Sequence, residues 1–141
     1  MAKKKVFVSF DFENDRHYKY LLEGWNNNPN FDFSFDDKSS KEINSWNIGV
    51  VKAVLSRKIN EADYTLVIVG SEANKLHKDY RKIGYRNWQN FEIAKSKEHG
   101  NKLVGVKINS NFQSPEELLN SGTSWALSFT LQKILEALNR V

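Results

Sequence analysis

Three short runs of the chain are almost continuously apolar and rich in β-branched residues. They are Val6-Phe7-Val8-Ser9-Phe10, Tyr64 to Val69, and Lys102-Leu103-Val104-Gly105-Val106-Lys107-Ile108. Strands covered on both faces read this way, because neither side of the pleat meets water. A fourth run, Phe31-Asp32-Phe33-Ser34-Phe35, alternates apolar and polar positions, so one face only is greasy and it suits a place nearer a sheet edge. Between these runs the period becomes helical. Tyr18, Leu21, Leu22 and Trp25 form one stripe, with Asn14 or Asp15 as candidate cap and with Gly24 and the turn-rich Asn26 to Asn30 as its stop. Ile48, Val51, Val54, Leu55 and Ile59 form a second stripe. A third helix carries Trp88, takes Phe91 and Ala94 as core candidates and closes at His99-Gly100. The last uses Leu131, Ile134, Leu135 and Leu138 behind Ser128 as candidate cap. Ser114-Pro115-Glu116-Glu117 opens a shorter turn with proline at the first helical position.

The resulting order is β-α-β-α-β-α-β, followed by mostly helical sequence. Strands alternating with helices of this length imply right-handed crossovers and a parallel sheet with helices on both faces. The expected fold class is α/β: a flavodoxin-like three-layer sandwich with four to five strands in the order 2-1-3-4-5. The fifth strand falls within Thr123 to Phe129, where helix is an equal alternative. With no internal repeat, low-complexity stretch or linker, one domain over residues 1–141 is expected.

Composition narrows the chemistry. Hydrophobic content of 40% and aromatic content of 13% suffice for a packed core and argue against disorder. The absence of cysteine removes disulfides, thiolate metal sites and thiol nucleophiles. Met1-Ala2-Lys3-Lys4-Lys5 is basic, but the apolar run behind it is too short for a signal peptide or membrane span, so a cytoplasmic protein without membrane partners is expected. A net charge of +4 favours acidic or phosphorylated ligands. The most cationic stretch, Lys75, Lys78, Arg81, Lys82 and Arg86, is diluted by Glu72 and Asp79 and reads as a solvated loop rather than a phosphate site. No arginine-rich arm or nucleic-acid motif is present, so nucleic acid is not expected as a partner.

In an open parallel sheet, ligands lie above the C-terminal ends of the strands where the strand order reverses. The residues arriving there are Ser9, Phe10 and Asp11 after the first strand, Asp36 and Asp37 after the second, and Gly70 and Ser71 after the third. Trp46 stands in the loop leading to the second helix, and Glu92 enters from the third. Asp11, Asp15, Asp36 and Asp37 read as caps and turn formers rather than a metal or phospho-acceptor pocket, since no aspartate ends the third strand. No glycine-rich loop follows the first strand, which speaks against Walker-type nucleotidases and Rossmann dehydrogenases. His17, His77 and His99 fall on different elements without ligand spacing and read as surface residues. Ser9 and Ser71 lack a nucleophile elbow. There remains Glu92 with Trp88 four residues before it, on one helix face. A carboxylate beside an aromatic wall suits cleavage of a glycosidic bond through a cationic transition state. The bland alternative is an exposed helix glutamate beside a core tryptophan.

The chain resembles Toll/interleukin-receptor (TIR) domains, specifically the bacterial TIR-like proteins of Thoeris anti-phage defence. The resemblance rests on Lys5-Val6-Phe7-Val8-Ser9-Phe10-Asp11, Leu66-Val67-Ile68-Val69-Gly70-Ser71, Arg86-Asn87-Trp88-Gln89-Asn90-Phe91-Glu92-Ile93-Ala94-Lys95-Ser96 and Gly100-Asn101-Lys102-Leu103-Val104-Gly105-Val106, in that order. It implies a domain that consumes NAD+ as a substrate, with no resident cofactor. Such enzymes break the nicotinamide–ribose bond and release ADP-ribose or a cyclised isomer, a diffusible messenger for a separate effector. The family's essential glutamate falls on Glu92 and its neighbouring tryptophan on Trp88. The nucleotide would lie along Ser9, Phe10 and Asp11, Ser71 matches the serine after the third strand, and Trp46 lies in a loop that covers the site or makes assembly contacts. Self-association is implied as well. Two features depart from the pattern: the stretch from Glu72 to Asn87 is long, and the C-terminal third, with Trp125, carries no family motif. The competing readings are a non-catalytic TIR scaffold, and a nucleotide sensor that uses the basic stretch to hold a phosphate.

Overall fold

The apolar runs become central strands because both of their faces are covered. The computed structural model describes residues 3–26, 28, 32–36, 43 and 47–141, with Asp36 described by its backbone alone. The strands are β1 (Lys4–Ser9), β2 (Phe33–Asp36), β3 (Tyr64–Val69), β4 (Lys102–Lys107) and β5 (Ser124–Ala126). The helices are α1 (Phe12–Asn26), α2 (Ile48–Asn60), α3 (Tyr80–Ile83), α4 (Trp88–His99) and α5 (Leu131–Arg140), with a 3-10 turn at Glu116–Leu118. All strand pairs are parallel and the order is β2-β1-β3-β4-β5, as the alternation of elements implied. Phe31, Asp37, Trp46 and most of the turn from Asn26 to Asn30 lie outside the described residues.

The pleat sends alternate side chains to two helical layers. Val6, Val8, Leu66, Ile68, Val104 and Val106 face α1 and α5, where Leu22, Ile134, Ala137 and Leu138 close the core. On the other face Phe7 meets Val51, Leu55 and Ile59 of α2 with Phe91 of α4, while Val67 and Val69 meet Ile93. Trp125 of β5 lies flat against Gly105, where a Cβ would stand 2.5 Å from its ring. This close approach lets a three-residue strand end the sheet under a large aromatic cover.

Several element ends differ from the sequence expectation. Helix α1 starts at Phe12, and Asp11 caps it by accepting from the Glu13 amide at 3.1 Å, so Asp15 is inside the helix and not its cap. Leu21 is half exposed, because α1 turns Tyr18, Leu22 and Trp25 inward and Phe129 packs against Tyr18 and Trp25 at 4.7 and 5.6 Å. Gly24 does not stop α1; the helix continues to Asn26, whose amide exchanges two hydrogen bonds with the Phe35 backbone at 3.0 and 3.1 Å. That side chain stands in for a neighbouring strand on the open side of β2. Thr130, not Ser128, caps α5 by accepting from the Lys133 amide at 3.2 Å. Pro115 precedes the 3-10 turn as its cap residue and is not its first helical position.

Candidate active site

Helix α4 is unusual in burying polar and apolar residues on every side. Gln89, Asn90, Glu92 and Ser96 are buried together with Phe91, Ile93 and Ala94. The helix is enclosed by the sheet, by α2 and by the 3-10 turn. Each inward polar group therefore needs a partner. Asn87 caps the helix by accepting from the Asn90 amide at 2.9 Å. Ser96 Oγ donates to the Glu92 carbonyl at 2.8 Å and meets Thr65 Oγ1 at 2.6 Å.

Glu92 is 2% exposed, so the reading of an exposed helix glutamate does not hold. Its Oε1 accepts a hydrogen bond of 2.7 Å from Ser9 Oγ, the side chain that ends β1. Burial raises its pKa from 4.5 to about 8, and the Ser9 hydrogen bond works in the opposite direction. One turn earlier, Gln89 donates through Nε2 to the carbonyls of Ser9 and Ile68 at 3.3 and 3.0 Å. The amide thereby ties together the exits of β1 and β3 directly beside the carboxyl group.

Above this layer opens a cleft of about 400 Å³, within the size range of small-molecule sites. One wall is the β1–α1 connection, with Phe10, Asp11 and Phe12. The opposite wall is the segment after β3, with Lys75, His77 and Lys78. The floor is the start of α4, Asn87 to Gln89. Of the residues singled out from sequence, Phe10, Asp11 and Trp88 line the cleft, and Ser9 with Glu92 forms the buried pair behind its floor. Trp88 is half-buried and meets Phe91 edge-on at 5.7 Å. Ser71 is exposed in the turn after β3 and does not line the cleft; Trp46 falls outside the described residues.

Sequence reasoning missed Gln89, whose long amide carries no motif signal, and it read the basic stretch and His77 as solvated surface. Lys75, Lys78, Arg81 and Lys82 are indeed exposed, but the backbone at the start of the stretch is tied down and Lys75, His77 and Lys78 line the cleft. Asn87 Nδ2 donates to the carbonyls of Ala73 and Lys75 at 2.9 Å each, and Arg86 Nε donates to the Asn74 carbonyl. The His77 amide donates to the Arg86 carbonyl at 2.9 Å, and His77 Nδ1 accepts from the Asp79 amide at 2.9 Å. That acceptor role puts the ring proton on Nε2 when the imidazole is neutral.

Asp15 is a second buried carboxyl group near the strand ends. It is 5% exposed, and its Oδ2 has no hydrogen-bond partner among the described residues. Burial first, and the charge of Asp11 second, raise its pKa to about 6. A Cβ on Gly70 would stand 2.1 Å from that Oδ2, so glycine at the end of β3 makes room for the carboxyl group.

Among the described residues no three His, Asp or Glu side chains converge as metal ligands, and no helix is long and apolar enough to cross a membrane. What the site offers is a buried carboxyl group held by Ser9, a second one at Asp15 beside the exit of β3, and a cleft lined by aromatic, acidic and basic side chains.

The family described as "Thoeris protein ThsB, TIR-like domain" matches residues 7–113, which include the second half of β1, the cleft, α4 and β4. The chain is also similar to a protein of Bacillus cereus (strain MSX-D12) named "Putative cyclic ADP-D-ribose synthase ThsB1", with 28% identity over 117 residues. That alignment covers 76% of this chain and 53% of the relative, so the chain spans about half the relative's length. With the matched stretch running from the first strand through the buried glutamate to the fourth, the chain belongs to the Thoeris ThsB TIR-like domain family.

Proposed function

We propose that this chain cleaves the nicotinamide–ribose bond of NAD+, with Glu92 as the residue that stabilises the ribose cation. The carrying observation is the position of Glu92: a buried carboxyl group, hydrogen-bonded by Ser9 and one turn from Gln89, which lines a cleft at the exits of β1 and β3. As the glycosidic bond lengthens, its electron pair passes to the pyridinium nitrogen. Nicotinamide then leaves neutral, and no acid is needed to protonate it. The ribose carbon becomes positive, and an adjacent carboxylate in a medium of low dielectric lowers the energy of that cation. Water adds to give ADP-ribose and a proton, or a nucleophile of the same molecule closes the ring. The relative's name, a cyclic ADP-D-ribose synthase, favours the second outcome for this chain too.

Trp88 and Gln89 line the cleft whereas Glu92 is buried and does not, so contact with a ribose requires side chains at the start of α4 to move. Self-association is a natural source of that displacement. NAD+ serves here as substrate and no resident cofactor is invoked. The product would act in the cytoplasm on a separate effector in anti-phage signalling.

The test is incubation of the protein with NAD+ and chromatography for nicotinamide, alongside Glu92→Gln. The amide keeps the shape and can still accept from Ser9, but it carries no charge. Release by the parent protein and at least a hundredfold loss in the variant, with unchanged circular dichroism, is the expected result. Equal release by both proteins would reject the role of Glu92. A folded parent that binds ADP-ribose without turnover would favour a sensor.

A further inference from the structure

The cleft is electrically divided between its two walls. The β1–α1 connection brings Asp11 and Glu13 beside Phe10 and Phe12, whose rings lie 6.4 Å apart. The segment after β3 brings Lys75 and Lys78, with Glu72 at its start. Four other lysines, Lys19, Lys95, Lys97 and Lys133, each reach a carboxylate within 4.0 Å. Among the described residues, neither Lys75 nor Lys78 has such a partner, although both line the cleft. Their backbone is nevertheless fixed by Asn87, which holds the Lys75 carbonyl, and by Arg86, whose carbonyl holds the His77 amide. Two cations carried on a tethered backbone and facing a cleft meet a phosphate with less ordering cost than two on a loose loop.

We propose that Lys75 and Lys78 form a diphosphate-binding wall, which fixes the direction in which a dinucleotide enters the cleft. The inference rests on the NAD+ reading for its substrate, and on the cleft alone for its ligand chemistry. A pyridine dinucleotide carries a cationic ring at one end and two phosphate charges in the middle. With its diphosphate on the lysines, such a molecule sets its ring toward Phe10, Asp11, Phe12 and Glu13. Turned end for end, the central diphosphate would still meet the lysines, but the neutral adenine would replace the cationic ring beside Asp11 and Glu13. The charge division thus favours the orientation that sets the nicotinamide ring against the β1–α1 connection, beside the strand that ends in Ser9.

The experiment compares the parent protein with the double variant Lys75→Gln/Lys78→Gln. Both side chains are exposed and the backbone bonds do not depend on them, so the fold is expected to persist; circular dichroism verifies this. Calorimetric titration with ADP-ribose is expected to show at least tenfold weaker binding in the variant. Adenosine, which lacks phosphate, is expected to bind both proteins alike. The parent's affinity for ADP-ribose is expected to fall steeply with salt and the variant's only weakly. Equal ADP-ribose affinities, or a parent that binds no ADP-ribose, would overturn the proposal. Nicotinamide assays separate it from the preceding reading. Lysine-dependent binding without nicotinamide release leaves the wall standing and removes the NAD-cleaving function. Release at the same KM by both proteins does the reverse.

Discussion

Ser9 Oγ donates to Glu92 Oε1 at 2.7 Å, joining the last residue of β1 to the second turn of α4 across 83 positions of sequence. The bond stabilises the charged form of a carboxyl group that burial otherwise keeps protonated at neutral pH. Serine therefore sets how much of the glutamate is ionised at a given pH.

The pH dependence of turnover follows. If the carboxylate is the working form, kcat/KM for NAD+ rises with pH, passes half its maximum near pH 8, where Glu92 loses its proton, and levels off above that. Ser9→Ala removes the one interaction that favours ionisation, so its profile shifts to higher pH. A hydrogen bond to a charged group contributes about 1.5–3 kcal/mol, so roughly ten- to a hundredfold less activity is expected at pH 7. At a pH above both midpoints the two proteins should converge. Stopped assays from pH 6 to pH 10 (about that span, where the titration lies) measure this, and superimposable profiles would contradict the role of serine.

Stability should respond to the same carboxyl group in the opposite sense. Its folded pKa of about 8 exceeds the ordinary 4.5, so the folded protein holds a proton that the unfolded chain releases. Between those values stability falls as pH rises, and above about 8 the loss is complete. Glu92→Gln does not titrate. Its stability relative to the parent is expected to be near zero at the acid end of that window and to grow to the order of 3–5 kcal/mol at the alkaline end. Differential scanning calorimetry of both proteins across the window decides it. A constant difference at all pH values would mean that Glu92 is not desolvated. The variant would thus be more stable and inactive, the usual relation between a strained functional group and fold stability.

The fold was largely legible because the strands obey a simple rule. Val6 to Val8, Tyr64 to Val69 and Leu103 to Val106 are apolar on both faces, and all are buried. The buried site was legible only in part. Glu92 and Trp88 stood out through their helical spacing, yet nothing in the pattern showed α4 to be enclosed. A helix that buries Gln89, Asn90 and Glu92 as well as Phe91 and Ile93 has no amphipathic face to detect. The basic wall was hidden for another reason. Asn87 and Arg86 hold it through side-chain bonds to the carbonyls of Ala73, Asn74 and Lys75, and such bonds leave no period in the sequence. The start of α1 was missed by three to four residues, because Asp11, Asn14 and Asp15 are all plausible caps by type.

Gly70 and Asp15 form a coupled pair that a double-mutant cycle can expose. A methyl group at Gly70 would overlap Asp15 Oδ2, and over-packing of this kind costs about 1–3 kcal/mol. Asp15→Ala removes the obstructing oxygens. It also removes a buried, partly unsatisfied carboxyl group, so by itself it should be neutral or stabilising above pH 6, where Asp15 is ionised. In that background Gly70→Ala should cost little. A coupling energy of at least about 1 kcal/mol by urea denaturation is expected, and additive effects would show that the two residues do not meet.

Asn90 connects the floor of the cleft to the C-terminal part of the chain. It has no solvent exposure, and its Nδ2 donates to Asn74 Oδ1 at 3.1 Å and to Asn87 Oδ1 at 2.9 Å. Its Oδ1 accepts from the Glu117 amide at 3.0 Å, which fastens the 3-10 turn to α4. Asn90→Ala leaves a buried amide donor and two acceptors short of partners, for an expected loss of about 2–4 kcal/mol. Conversion to a similar-sized apolar side chain, Asn90→Leu, does not restore those bonds and should cost as much. Amide hydrogen exchange separates a local from a global effect. The Glu117 amide should lose protection by more than the fall in global stability explains, while Val67 and Val104, deep in the sheet, should follow the global value. Asn87→Ala makes the complementary test, because it removes the α4 cap and releases the Ala73 and Lys75 carbonyls together. In that variant exchange should rise at the His77 and Asn90 amides, and ADP-ribose should bind more weakly because the Lys75 segment is no longer held in place.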